Sequence, residues 1–228
     1  MTGGAGASHH YKALDAFRGL GAILVAFSHW GSYGLLSWQG FQLSGVIVVY
    51  FFVLSGFVIA STYHGRITDG PSALRFSWLR VGRIYPLHVA TLAMMIFFEC
   101  GDLLVDSLGL LELDEPFSGQ REAEKIIPNL FLLQTFGFHE GLSWNGPAWS
   151  VAAEMWTYLI FAILTVVGGR YRYWTYAAAI VICWVMLARW SDAGLYSTDP
   201  YAVQRCCVSF FAGVLLWRLF DLVRSVDL

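Results

Sequence analysis

Gln42–Tyr63 reads QLSGVIVVYFFVLSGFVIASTY, 22 residues without one charged side chain. About 20 mostly apolar residues suffice for a helix to cross the hydrocarbon core of a bilayer. Lipid offers no partners to free backbone groups, so such a stretch must satisfy its own N–H and C=O groups as a helix. Outward from it, five more segments read the same way: Ala13–Tyr33, Ile84–Val105, Pro147–Val167, Tyr173–Trp190 and Ala202–Phe220. The predicted fold class is all-α, a polytopic transmembrane helix bundle with about six spanning helices. Residues 1–12 form a polar, glycine-rich tail, and residues 13–228 form a single transmembrane domain. Composition agrees: 57% of the chain is hydrophobic and 13% charged, where soluble chains carry about 25% charged residues. A shorter stretch, Ile126–Phe138, is interrupted by Pro128 and reads as a re-entrant or interfacial piece.

Charge gives an orientation. With a cytoplasmic N-terminus and six alternating spans, inside segments hold ten of the 14 lysines and arginines, among them Lys12, Arg66, Arg75, Arg80, Arg83 and Arg170. Arg121, Lys125, Arg189 and Arg205 fall outside. The excess follows the positive-inside rule, and a multi-pass protein of a bacterial inner membrane is expected. Arg18 lies within the first apolar run and no small-residue cleavage site follows Trp30, so that run reads as a mature helix rather than a signal peptide. A net charge of −2 gives no reason to expect nucleic acid. Cys100, Cys183, Cys206 and Cys207 sit in or beside apolar runs, without CxxC spacing, and read as packing residues. No metal is expected.

Ionisable residues inside spans are expensive and point to function. Arg18 and His29 are eleven residues apart in the first helix, about three turns and roughly 16 Å, so they share a face. Asp15, one turn before Arg18, can pair with it. His29 alone could bond a neighbouring helix, and Arg18 alone could snorkel to the interface; one stripe carrying both favours chemistry. Neutral imidazole takes a proton near pH 7 and can act as base or nucleophile. Ser55 and Gly56 make a small polar spot among aromatic rings, suited to helix packing or to a site. Arg80 and Arg83, in the basic loop Arg75–Pro86, are one helical turn apart. They suit bidentate phosphate binding or anionic lipid. In the fourth span Ser150, Glu154 and Tyr158 recur every four residues, behind Trp149. A solitary buried carboxylate such as Glu154 needs a raised pKa or a cationic partner, with His29 or an arginine as candidates.

These stretches, in this order, resemble the acyltransferase-3 family of bacterial membrane proteins. Leu14–Gly19 with His29 looks like its Arg-x10-His signature. Phe51–Phe57 is similar to its second-helix motif and Arg80–Pro86 to its basic loop. Trp149-Ser150 with Glu154 and Tyr158 resembles its Trp-Ser-x3-Glu-x3-Tyr element. The resemblance covers Leu14 to about Val167. It implies O-acyl transfer from cytoplasmic acyl-coenzyme A to a hydroxyl of an envelope sugar or polysaccharide. His29 would be catalytic with Arg18 and Glu154, Arg80 and Arg83 would hold the coenzyme phosphates, and Asp15, Ser55, Trp149, Ser150 and Tyr158 would support them. His29 would deprotonate the acceptor hydroxyl or carry the acyl group itself. Members usually have more spanning helices than the six read here, and Met155–Trp156 departs from their usual pattern. The chain is therefore expected to be incomplete at its C-terminal side, or a short form completed as a homo-oligomer. A transport or proton-path module and an inactive truncated scaffold are the competing readings. Membrane lipid is the expected partner in each.

Overall fold

The computed structural model describes residues 12–30, 37–110, 115–138, 141–191, 193–194, 198 and 200–226. These form seven α-helices: α1 Lys12–Trp30, α2 Ser37–Tyr63, α3 Gly70–Ser107, α4 Ile126–Leu130, α5 Trp149–Gly168, α6 Arg172–Trp190 and α7 Ala202–Val226. No strand occurs among the described residues. Four stretches are long and apolar enough to cross a membrane: Gly45–Tyr63, Gly70–Ser107, Gly146–Trp190 and Ala202–Ser225.

The third of these folds back on itself. Gly169, at φ 49° and ψ −120°, ends α5 in a conformation that L side chains rarely adopt. One 3-10 turn, Gly169–Tyr171, then starts α6. Phe161 of α5 stacks on Tyr176 of α6 at 5.6 Å, and the Tyr176 and Thr165 hydroxyls share a hydrogen bond of 2.6 Å. The stretch is thus two antiparallel helices, as Pro147–Val167 and Tyr173–Trp190 anticipate.

One expectation needs correction. The basic segment Arg75–Pro86 is no loop: it forms the first half of the 38-residue α3. Asp69 caps that helix, accepting from the Ser72 backbone N–H at 2.9 Å while Ser72 Oγ receives the Asp69 N–H at 3.1 Å. Pro71 in the first turn suits a helix start. The bonds from Ser72 hold the Asp69 carboxyl below the usual carboxylate range. Pro86 sits inside the helix, where it forfeits one hydrogen bond without ending it. Ile126–Phe138, read as a re-entrant or interfacial piece rather than a span, contains no spanning helix. Its helical part is the five-residue α4, followed by turns, and at 1.5 Å per residue it is far too short to span. It is also less apolar in its contacts than in its composition, because Asn129, Gln134 and Thr135 are all buried.

The contacts divide the chain into two units. One comprises residues 1–64 with 209–228, and the other Gly65–Val208. In the first, α1 lies along α2, with Gly21 against the Phe51 ring. There α2 meets α7 backbone to backbone. A Cβ on Gly56 would lie 1.9 Å from the Phe210 carbonyl oxygen, and one on Gly213 would lie 1.9 Å from that of Val53. Small residues permit such an approach between membrane helices. Phe57 with Phe220 and His64 with Trp217 continue the seam.

In the second unit α5 packs between α3 and α6. Phe76 of α3 meets Tyr158 and Phe161 edge-on, at 6.1 and 5.7 Å. Ala152 and Met155 of α5 form a core with Leu132, against Val81, Ile84 and Tyr85 of α3. The α3 faces turned from this core carry apolar side chains such as Met94 and Phe97, exposed by 52% and 73%, as a lipid-facing surface requires.

The α2–α7 crossing yields a prediction. Gly56→Ala inserts a methyl group into a neighbouring carbonyl and should cost about 1–3 kcal/mol or more. Thermal unfolding in detergent should show a lower Tm, whereas Gly101→Ala, which meets nothing within 4 Å, should not lower it.

Candidate functional site

Glu154 projects from α5 as the sole carboxylate of that helix. Tyr158, one turn on and 7% exposed, donates its hydroxyl to Glu154 Oε1 at 2.6 Å. The same phenol ring lies under the Arg80 guanidinium, whose carbon is 6.0 Å from its centroid and 5.5 Å from that of Phe76. Cations within about 6 Å of an aromatic face are attracted by its quadrupole. Tyr158 therefore joins a carboxylate on α5 to a cation on α3. One turn along α3, Arg83 is exposed and borders a half-open cleft of about 280 Å³. Ile84, Leu87, His88, Thr91, Asn145, Val151 and Glu154 complete its walls. The cleft thus places the predicted coenzyme residue Arg83 and the predicted catalytic residue Glu154 on one surface.

The wall behind the cleft is braced by the segment that precedes α5. His88 Nε2 lies 2.7 Å from the Asn129 carbonyl oxygen. The Asn129 amide donates to the Lys125 carbonyl at 2.9 Å and to Ser143 Oγ at 2.7 Å. Lys125 donates to the Gly119 carbonyl at 2.8 Å. Glu99 of α3 binds the Arg121 side chain and accepts the Phe117 N–H at 3.0 Å. Trp144 donates from Nε1 to the Glu122 carbonyl at 3.1 Å, and Trp156 of α5 to that of Leu132 at 2.8 Å. Phe117, Leu132 and Trp144 hold positive φ, between 52° and 57°. That conformation is costly for bulky residues and is fixed here by these bonds to α3, α5 and Glu122.

The remaining predicted residues fall as follows. Trp149 is buried with Arg205 over its ring, guanidinium carbon 4.9 Å from the centroid. Ser150 returns its hydroxyl to the Pro147 carbonyl at 3.2 Å, within its own helix start. Ser55 is buried on α2, beside the Gly56 contact with α7. Asp15, Arg18 and His29 belong to α1, but their side chains lie outside the described residues, so the Arg18–His29 stripe rests on helical spacing alone. Among the described residues no cluster of His, Cys, Asp or Glu could hold a metal ion.

Five contributors were missed in the sequence. His88 and Glu99 lie inside the span read as Ile84–Val105, and the rule that singled out His29 applies to them equally. Arg205 was counted among the outside charges, yet it is 1% exposed within α7. Lys125, also counted outside, is buried against main-chain oxygen. Asn145 could not be found, because nothing in its sequence setting brings it beside Thr91, to which it donates at 3.4 Å.

Tyr158→Phe keeps the ring beneath Arg80 but removes the bond to Glu154. Losing a hydrogen bond to a charged group costs about 1.5–3 kcal/mol, which thermal unfolding should register; an unchanged Tm would show that the carboxylate does not depend on the phenol.

Residues 11–228 match the acyltransferase-3 family, described as an acyltransferase domain. The chain is 31% identical over 150 residues to acyltransferase MdmB of Streptomyces mycarofaciens, a match covering 62% of this chain and 35% of that protein. It is 28% identical over 154 residues to protein 2 in the picA locus of Rhizobium radiobacter, covering 65% and 79%. The chain therefore spans about a third of the length of the first relative and about four fifths of the second. No solved structure matches it.

Proposed function

The chain belongs to the acyltransferase-3 family, and from that premise we propose that it is a membrane-embedded O-acyltransferase, moving an acyl group such as acetyl from coenzyme A to a hydroxyl of a cell-envelope sugar. The family match over residues 11–228 carries this reading. The arrangement around Glu154 supports it: a carboxylate held by a phenol, with two arginines on the adjoining helix and one cleft bordered by Arg83 and Glu154.

In this reading α1, α2, α3, α5, α6 and α7 cross a bacterial inner membrane, with the N-terminus cytoplasmic. At 1.5 Å per residue α3 is roughly 57 Å long, against a hydrocarbon core of about 30 Å, so its basic first half extends beyond the lipid. Arg80 and Arg83 there bind the phosphates of acyl-coenzyme A from the cytoplasm. The thioester reaches His29, which takes the proton of the acceptor hydroxyl. The hydroxyl oxygen attacks the thioester carbon, the C–O bond forms, the C–S bond breaks, and the thiolate leaves with the proton returned by the imidazolium. Arg18, three turns nearer the start of α1, is the companion of His29 on the same helix face, and Asp15 pairs with Arg18. Glu154, oriented by Tyr158, accepts hydrogen bonds from the acceptor.

Purified protein given labelled acetyl-coenzyme A should release coenzyme A and transfer label to a glycan acceptor. His29→Ala should lower the rate at least about a hundredfold, the scale of general acid–base contributions, without loss of folded protein. Retained activity would sink the assignment of His29. Arg80→Glu with Arg83→Glu should raise the KM for acetyl-coenzyme A more than that for the acceptor; equal effects would argue against phosphate binding there.

A further inference from the structure

The acyl-transfer reading leaves the charges of the α5–α6 turn unused. Arg170 and Arg172 stand two residues apart, one within the 3-10 turn Gly169–Tyr171 and one at the start of α6. Arg170 is exposed and Arg172 half-buried. None of residues 155–191 is acidic, and among the described residues neither arginine forms an ion pair. The turn is fixed from within. A Cβ on Gly168 would lie 2.8 Å from Thr175 Oγ1, so the two helices close tightly there, and the Thr175 hydroxyl donates to the Arg172 carbonyl at 2.8 Å. The Arg170 guanidinium lies over the Tyr171 ring, its carbon 4.5 Å from the centroid, and donates one N–H to the Tyr171 hydroxyl. Its other N–H groups stay open to a ligand.

Apolar side chains flank these charges on both sides. Val167 near the end of α5 and Trp174 in the first turn of α6 are each 76% exposed. Ile163 of α5 and Val181 and Ile182 of α6 continue the exposed apolar surface away from the turn. In a spanning hairpin such a surface meets acyl chains, and a tryptophan at its edge sits at headgroup level. The guanidinium groups beside it therefore face the headgroup layer rather than open water. Arginine grips phosphate oxygens through paired N–H groups, and anionic lipid attracts basic side chains at that depth. A soluble phosphate would use the guanidinium groups and not the apolar flanks. A zwitterionic lipid would use the flanks and leave both positive charges unbalanced.

We propose that the α5–α6 turn is a binding site for an anionic phospholipid, with the headgroup phosphate at Arg170 and Arg172 and an acyl chain along Val167 and Trp174. The site rests on α5 and α6 crossing the bilayer, and not on the acyl-transfer chemistry.

Full-length protein in detergent is titrated with short-chain phosphatidylglycerol, with phosphatidylcholine of the same chain length and with inorganic phosphate, and binding is read from the rise in Tm. Wild-type protein should bind phosphatidylglycerol about thirtyfold more tightly than phosphatidylcholine, the scale of two basic side chains at an anionic surface. Arg170→Gln with Arg172→Gln should abolish most of that preference, while Arg170→Lys with Arg172→Lys should keep most of it. Trp174→Ala should weaken both lipids and leave the preference in place. Equal affinity of the wild-type protein for the two lipids would overturn the proposal, as would an undiminished preference in the folded glutamine variant. Inorganic phosphate displacing phosphatidylglycerol at equal concentration would also overturn it, since that marks a site for a soluble anion. The glutamine variant should retain the wild-type KM for acetyl-coenzyme A; a raised KM would give the turn to the coenzyme and remove the lipid site. Wild-type protein inert toward acetyl-coenzyme A would sink the acyl-transfer reading alone, because the lipid titration decides the site without any turnover.

Discussion

Glu154, half-buried at the edge of the cleft, is held by the Tyr158 hydroxyl one turn along the same helix. That bond governs more than one side chain. The phenol that satisfies Glu154 also packs edge-on against Phe76 and lies beneath Arg80. The register of α3 against α5 is thereby tied to the position of a charge. Sliding either helix by one residue would take the ring from the cation, whereas the bond between hydroxyl and carboxylate, internal to α5, would persist. Ala152 and Ala153, both 0% exposed, let α5 seat closely enough among its neighbours for these contacts to form.

The segment from 115 to 148 follows a different logic. Its composition is mixed and its helices are short, so periodic burial cannot hold it. Polar side chains of α3 do so instead: His88 and Glu99 take hold of it at Asn129 and at Arg121 with Phe117. Inside a low-dielectric environment such bonds are strong when complete and costly when broken. The segment is consequently a specified part of the site wall, although little of it is regular structure.

The spans were legible because lipid leaves a helix one way to hide its backbone, and apolar length alone then reports it. Glu154 and Tyr158 were legible for a related reason: four-residue spacing puts both on one face, and a lone carboxylate among apolar neighbours is conspicuous. The helical form of Arg75–Pro86 was obscured by its charges, which suggested a loop; the Asp69–Ser72 cap that starts the helix lies upstream of it. Arg205 was hidden by counting charge along the chain, since a sum over loops does not ask whether a guanidinium has a tryptophan beneath it. The contacts of Ile126–Phe138 escaped because they are long-range bonds to main-chain atoms, which no local pattern encodes.

One of those bonds bears on how relatives of this protein are to be compared. His88 grips the peptide carbonyl of Asn129 rather than its side chain. Every amino acid has that carbonyl, so the contact survives any exchange at 129 that keeps the local turn. Correlated substitution between the two alignment columns would therefore be silent about a tether that joins α3 to the segment before α5. Only an observable of the backbone itself, such as carbonyl chemical shift, would reveal it.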